Sequence, residues 1–363
     1  MAQIPDSSSK TARLLIIRFS SLGDIIQAAA VPKAFKNRFP GSKVEWLVRS
    51  DFKDLLAPHK FIDEVISFGR SEGFWGLINL AWKLGQENHS HVYDAHSNVR
   101  STILSTVLRF RRFARSFAGA PPLSFAVRKK DRIDRWLLFK FRIRRIQMPF
   151  RGAESFHRPL TQWGLEATVP EGQQFFPSGK TNQAVTESLQ RIRKNEKTKI
   201  IALAPSAAWE MKRWPVEHWK SLIANLPDYS FVLLGGPEDR FLSEIAAVAP
   251  DRVADLSGRM SLDESASFLS KADLVIANDT GMLHIADQME IPAIALIGPT
   301  AFGYPSHRTS ITAEVELWCK PCSKDGRGKC VNDLYKRCLV EVSPERIAKD
   351  AIKILSLANG DRT

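Results

Sequence analysis

Apolar residues fill 14–17 of "RLLIIRF" (13–19), a polar turn Ser-Ser-Leu-Gly-Asp follows, and apolar positions then recur at helical intervals to Phe39. A short continuous apolar run bounded by turn residues is the pattern of a strand buried on both faces. "KVEWLVR" (43–49), "EVISF" (64–68) and "HVYDAH" (91–96) repeat it, with helical segments between them. After an irregular stretch at 171–180 the pattern restarts. "KIIALAP" (199–205), "SFVLLGG" (230–236), "ADLVIAND" (272–279) and "PAIALIG" (292–298) read as strands. "PVEHWKSLIANL" (215–226), opened by Pro215, and "LSEIAAVA" (242–249) read as helices. Strand alternating with helix predicts an α/β chain of parallel sheets covered on both faces, in two domains joined near 176–198. No short repeat or low-complexity segment interrupts it.

In open parallel sheets ligands sit beyond the carboxyl ends of the strands, so the loops there carry the chemistry. In "ANDTGMLHIA" (277–286) a helix can begin near Gly281. Its free N–H groups and the positive end of its dipole attract a phosphate, which Gly281 lets come close. Thr280 and His284 are four apart, hence on one face, and can join the same anion. Asp279 would be repelled by it but can accept hydroxyls of an adjoining sugar. The alternative is structural: Asp279 or Thr280 caps the helix and His284 packs inside. In "APSAAWEMKRWPVEHW" (204–219), Lys212 and Arg213 precede a helix start, where the dipole disfavours cations. A bound anion resolves that conflict; a solvated surface charge is the alternative. "RFSSLGDIIQAA" (18–29) places Gly23 and Asp24 at the first strand-to-helix turn. Without a GxGxxG pattern it is not a standard dinucleotide site. Asp24 is either an N-cap or a general base kept ionised by the helix terminus.

The 363 residues suit two domains of roughly 150–200 residues. A net charge of +13 points to a polyanionic partner. Eleven of those charges come from 109–145, which holds thirteen Lys and Arg against Asp131 and Asp134. The segment suits a surface resting on anionic lipid head groups, with its interleaved aromatics turned to the core. No apolar run is long enough to span a bilayer, and the N-terminal apolar stretch, broken by Arg18, is too short for a signal peptide. A cytoplasmic protein is expected. An RNA-binding protein would also explain the charge, but no RRM or KH signature is present, and Asp24 and Asp279 would repel a nucleic acid. Cys319, Cys322, Cys330 and Cys338 form a CxxC followed by two further cysteines. They are reduced thiols or adventitious disulfides, or else a zinc knuckle.

Six stretches, in order over nearly the whole chain, resemble glycosyltransferase family 9, the ADP-heptose:lipopolysaccharide heptosyltransferases. They are "IIRFSSLGDIIQAAAVP", "YDAHSNVRS", "KRWPVEHW", "NDTGMLHIAD", "IALIGPT" and "CKPCSKDGRGKC" with its later "CL". The resemblance implies a GT-B fold, two Rossmann-like domains facing a central cleft. Residues 1–178 would bind acceptor, 179–345 the nucleotide-sugar donor, and 346–363 would form a C-terminal helix crossing back to the first domain. It implies an inverting, metal-independent transfer of heptose from ADP-heptose to the lipopolysaccharide inner core, without cofactor or nucleic acid, on the inner face of the inner membrane. Asp24 is similar to the family's general base and Lys212 to the cation at the departing diphosphate. Asp279 matches the residue at the donor sugar, and Thr280, Gly281 and His284 match the diphosphate cradle. Ser206 and an acidic residue after "LLGG", Asp239 before Glu238, would complete the donor site; Gly23, His96, Asn98 and Arg100 would meet the acceptor. Two departures bear on specificity: "PSAAW" offers only Ser206 as a hydroxyl, and His96 stands where Gln is common. A nucleotide-sugar epimerase on the same fold is the nearest rival.

Overall fold

The computed structural model describes residues 12–117, 119, 122–180, 182–193, 195, 197–308 and 310–357. Expectations for the first eleven and last six residues, including the N-terminal leader reading, lie outside them.

The described residues form eleven strands: β1 (Arg13–Ile17), β2 (Lys43–Arg49), β3 (Glu64–Phe68), β4 (His91–Asp94), β5 (Ser124–Val127), β6 (Ile200–Ala204), β7 (Ser230–Leu233), β8 (Val253–Asp255), β9 (Leu274–Asn278), β10 (Ala293–Leu296) and β11 (Ser310–Ala313). They form two all-parallel sheets, ordered β3-β2-β1-β4-β5 and β11-β10-β9-β6-β7-β8. Strand order reverses between β1 and β4 in one sheet and between β6 and β9 in the other. These are the two switch points where a doubly wound sheet opens a crevice for ligand. Every strand recognised from its apolar run is present. The three that were not, β5, β8 and β11, are all sheet edges of three or four residues, too short to show a period.

The chain forms two compact units, with a division more interrupted than one cut at 178. Unit one holds the chain up to Ser21, Ala30–Lys130 and Ser155–Pro170. Unit two holds Leu22–Ala29, Asp131–Glu154 and everything from Glu171. In unit one Leu15, Ile17, Leu47 and Val92 meet the helices Gly73–Leu84 and Val99–Ser116 through Leu77, Ala81, Leu84, Leu104 and Leu108. In unit two Ile201, Leu203, Phe231, Leu274 and Ile276 pack on Trp219 and Leu222 of the helix Val216–Ala224. The C-terminal helix Pro344–Leu357 joins that same core through Ile347, Ala348, Ala351 and Leu355. No helix among the described residues is long and apolar enough to cross a membrane.

One expectation about 109–145 is reversed. Its aromatics were assigned to the core, yet Phe110, Phe113, Phe117, Trp136 and Phe141 are all at least half exposed. Residues 109–130 belong to unit one and 131–145 to unit two.

His91 lies among Phe35, Phe39 and Trp163, with ring centroids 4.8–5.2 Å away. Burial there lowers its pKa to about 4. An unfolded chain would bind this proton below about pH 6.5, whereas the folded chain binds it only near pH 4. Stability therefore falls with pH across that window and is unaffected above it. His91→Phe is expected to flatten this part of the dependence of the melting temperature on pH. Parallel slopes for wild type and variant between pH 6.5 and 4 would show the ring plays no part.

Candidate active site

The loops after β6 and β9 meet at the switch point of the second sheet. Asn278, the last residue of β9, ties them: its Nδ2 donates to the Pro205 carbonyl at 2.6 Å, and its Oδ1 accepts from the Trp214 amide at 3.1 Å. This fixes the turn Glu210–Lys212, which carries the cation anticipated from the sequence.

Lys212 Nζ lies 2.8 Å from Asp279 Oδ2, with both side chains largely buried. Thr300 Oγ1 donates to the same oxygen at 2.7 Å, and His284 Nε2 stands 3.7 Å from Asp279 Oδ1. Burial alone would raise the carboxyl pKa. The Lys212 and His284 charges, with hydrogen bonds from Lys212 and Thr300, outweigh it and hold the group below the usual carboxylate range. His284 is pushed the other way: burial lowers its pKa, Lys212 adds to this, and Asp279, Asp287 and Asp24 oppose it.

Thr280 is the N-cap of the helix Gly281–Gln288, but its side chain makes no capping bond. Its Oγ1 is buried with no hydrogen-bond partner among the described residues, and so is Ser206 Oγ in the loop after β6. A buried, unbonded hydroxyl at an open helix N-terminus favours an acceptor-rich ligand. The reading of Thr280 as a simple cap does not hold.

The short helix Leu22–Gln27 packs against Gly281–Gln288 through glycines. A Cβ on Gly281 would fall 2.3 Å from Leu22 Cδ2, and one on Gly23 would fall 2.9 Å from His284 Cδ2. Gly23 is thus required for this close approach. Half-buried Asp24, in the first turn of that helix, is near enough to act on the charge of His284. One turn on, the Gln27 amide nitrogen lies 3.2 and 3.3 Å from the two ring nitrogens of His284. Neither Gln27 nor Thr300 was singled out from sequence. Gln27 was legible as the residue three after Asp24, on the same helix face, and Thr300 as the end of "IALIGPT".

The acidic pair after β7 separates. Asp239 is buried, accepting from the Gly236 amide at 2.9 Å and lying 3.3 Å from Arg213 Nη2. Glu238 is exposed. Asp239 shapes its own turn, and Glu238 is the carboxylate that faces solvent.

In unit one, Asp94 Oδ1 accepts from the amides of His96 and Ser97 at 2.9 and 2.8 Å, turning the chain sharply after β4. Asn98 Oδ1 then caps the helix Val99–Ser116 by accepting from Ser101 N at 2.9 Å. His96, Asn98 and Arg100 line a cavity of about 340 Å³ together with Arg49 and Arg70, two cations not anticipated from the sequence.

The four cysteines are free. Burial pushes Cys338 up to about 11 and raises Cys322. Among the described residues no group of three or more His, Cys, Asp or Glu is placed to hold a metal. The cysteine-bearing loop instead covers Lys212. Gly326, at φ +90°, lies where a Cβ would come within 2.6 Å of Lys212 Cγ.

The family model described as glycosyltransferase family 9 (heptosyltransferase) matches residues 77–332. The chain belongs to that family. This glycosyltransferase is 26% identical over 317 residues to lipopolysaccharide heptosyltransferase 1 of Campylobacter coli, covering 84% of this chain and 87% of the relative. Among solved structures it resembles the Escherichia coli ADP-heptose lipopolysaccharide heptosyltransferase II, with a TM-score of 0.69 and 18% identity over 96% of this chain and 99% of that one. It also resembles an Escherichia coli heptosyltransferase with ADP-2-deoxy-2-fluoro heptose, with a TM-score of 0.59 and 20% identity over 94% of this chain and 99% of that one. The fold is therefore GT-B. The family match includes Lys212, Asp279 and His284, while Asp24 lies ahead of it.

Proposed function

We propose that this glycosyltransferase moves heptose from ADP-heptose to the inner core of lipopolysaccharide, with inversion at the transferred carbon. The observation that carries the reading is Lys212, held by Asp279, together with the unbonded, buried Thr280 Oγ1 at the N-terminus of Gly281–Gln288. The names of the similar proteins supply the sugar and the acceptor.

In this reading the donor diphosphate lies against the helix N–H groups and takes the bonds that Thr280 and Ser206 lack. Lys212 approaches the bridging oxygen and stabilises the charge that grows as the sugar–oxygen bond breaks. This positive charge comes from the protein, so no role is assigned to a metal. Asp279 already holds Lys212 and accepts from Thr300, so it acts chiefly by aiming the ammonium, with its remaining lone pairs available to a sugar hydroxyl. Exposed Glu238 is the better placed of the acidic pair for a nucleoside hydroxyl. Asp24 removes the proton of the incoming acceptor hydroxyl, and attack opposite the leaving group inverts the centre in one step. Arg49, Arg70 and Arg100 give the acceptor pocket a positive lining suited to acidic sugars. A lipid-borne acceptor places the work at the cytoplasmic face of the inner membrane.

Titration calorimetry tests the donor. ADP-heptose is expected to bind at least about tenfold more tightly than UDP- or GDP-sugars, a difference of about 1.4 kcal/mol. Equal affinities, or a preference for UDP, would refute the donor assignment.

A further inference from the structure

The helices Gly73–Leu84 and Val99–Ser116 both spend their inner sides on one face of the first sheet. Outer sides of such helices are ordinarily polar. Here they are not. Val99, Thr106, Phe110, Phe113 and Phe117 are exposed at steps of seven, four, three and four, the spacing of one helix face. Phe110 and Phe113 are each 64% exposed and Phe117 is 81% exposed. On the neighbouring helix, Trp75 and Trp82 are two turns apart and also exposed. Arg111 stacks on Trp82 at 3.7 Å, which joins the two aromatic rows. Beside Phe113 a groove of about 480 Å³ is lined by Arg109, Ser116, Leu123 and Phe125 among others.

We propose that this outer face of unit one docks on an anionic phospholipid surface, with its aromatic rings at the acyl boundary and its cations among the head groups. Contiguous exposed apolar surface on a folded chain marks a contact site. Charge identifies the occupant. Outside the core and the His96 cavity the two helices carry Lys83, Arg109, Arg111 and Arg115, and on neither is there an Asp or Glu. A second copy of the chain would set arginine against arginine, whereas an anionic membrane neutralises them. This choice of occupant rests on the reading of the acceptor as lipid-borne, and it names the surface that brings the enzyme to it.

The test is sedimentation of the full chain with vesicles, without donor or acceptor. Binding is expected to phosphatidylglycerol–phosphatidylethanolamine vesicles and not to phosphatidylcholine alone. Phe113→Ser with Phe117→Ser is expected to weaken it about tenfold or more, since each exposed ring contributes apolar burial. Trp75→Ser, on the other helix, should act in the same direction. Calorimetric affinity for ADP-heptose should stay within about twofold, so loss of that affinity in wild type would speak against the donor and leave the docking result standing. Variants that bind anionic vesicles as wild type does would overturn the proposal. So would light scattering that shows a dimer which the Phe variants convert to monomer.

Discussion

Asp24→Asn is expected to lower kcat by about 10²–10⁴-fold, the range supplied by a positioned general base, while ADP-heptose affinity changes by no more than about twofold. The substitution separates the two meanings of an Asp at this turn. Asn serves as well as Asp at the start of a helix, so a purely capping residue would tolerate it with little loss of stability or rate. Asn cannot accept a proton. The pH profile adds a second readout: the acidic limb of kcat, set by protonation of the carboxylate, should disappear in the variant. Asp24 also helps hold a proton on His284, so the variant imidazole should titrate lower still. A variant with kcat within threefold of wild type and an unchanged acidic limb would sink the assignment, and the carboxylate would then be structural.

The fold was legible wherever a strand is buried on both faces, because such a strand is an unbroken apolar run. That is why β1, β2, β6, β9 and β10 could be placed and the edge strands β5, β8 and β11 could not. Site residues were legible where a polar residue interrupts a strand-to-helix turn, as at Asp24, Lys212 and Asp279. Their partnerships were not. That Asp279 holds Lys212 and accepts from Thr300 depends on which loops the sheet order brings together, and Thr300 is twenty-one residues further on. Gly23 shows the same limit. The family resemblance implies an acceptor contact for it, and only the structure shows that its missing side chain lets His284 approach. The exposed phenylalanines of Val99–Ser116 were misassigned for a related reason. Leu104 and Leu108 on one side and Phe110 and Phe113 on the other give two apolar faces, and periodicity alone does not say which one meets the sheet.

Lys212→Met should show two effects that a surface lysine would not. Transfer should slow by about 10²–10³-fold, as expected when a group stabilising transition-state charge is lost. The folded state should lose about 3–5 kcal/mol in denaturant unfolding at neutral pH, because Asp279 is left as a buried charge without its ammonium. Part of that loss should return on acidification, since removing the largest opposing charge lets burial raise the Asp279 pKa and the carboxyl can then protonate. Adding Asp279→Asn to the lysine variant removes the stranded charge, so the double variant should recover most of the stability and none of the rate. This recovery distinguishes a charge pair held for chemistry from one held for folding. If the pair were only structural, the repaired double variant would regain activity with stability. A single Lys212→Met variant as stable as wild type would mean that Asp279 does not depend on the lysine, and the electrostatic account of the site would fail with it.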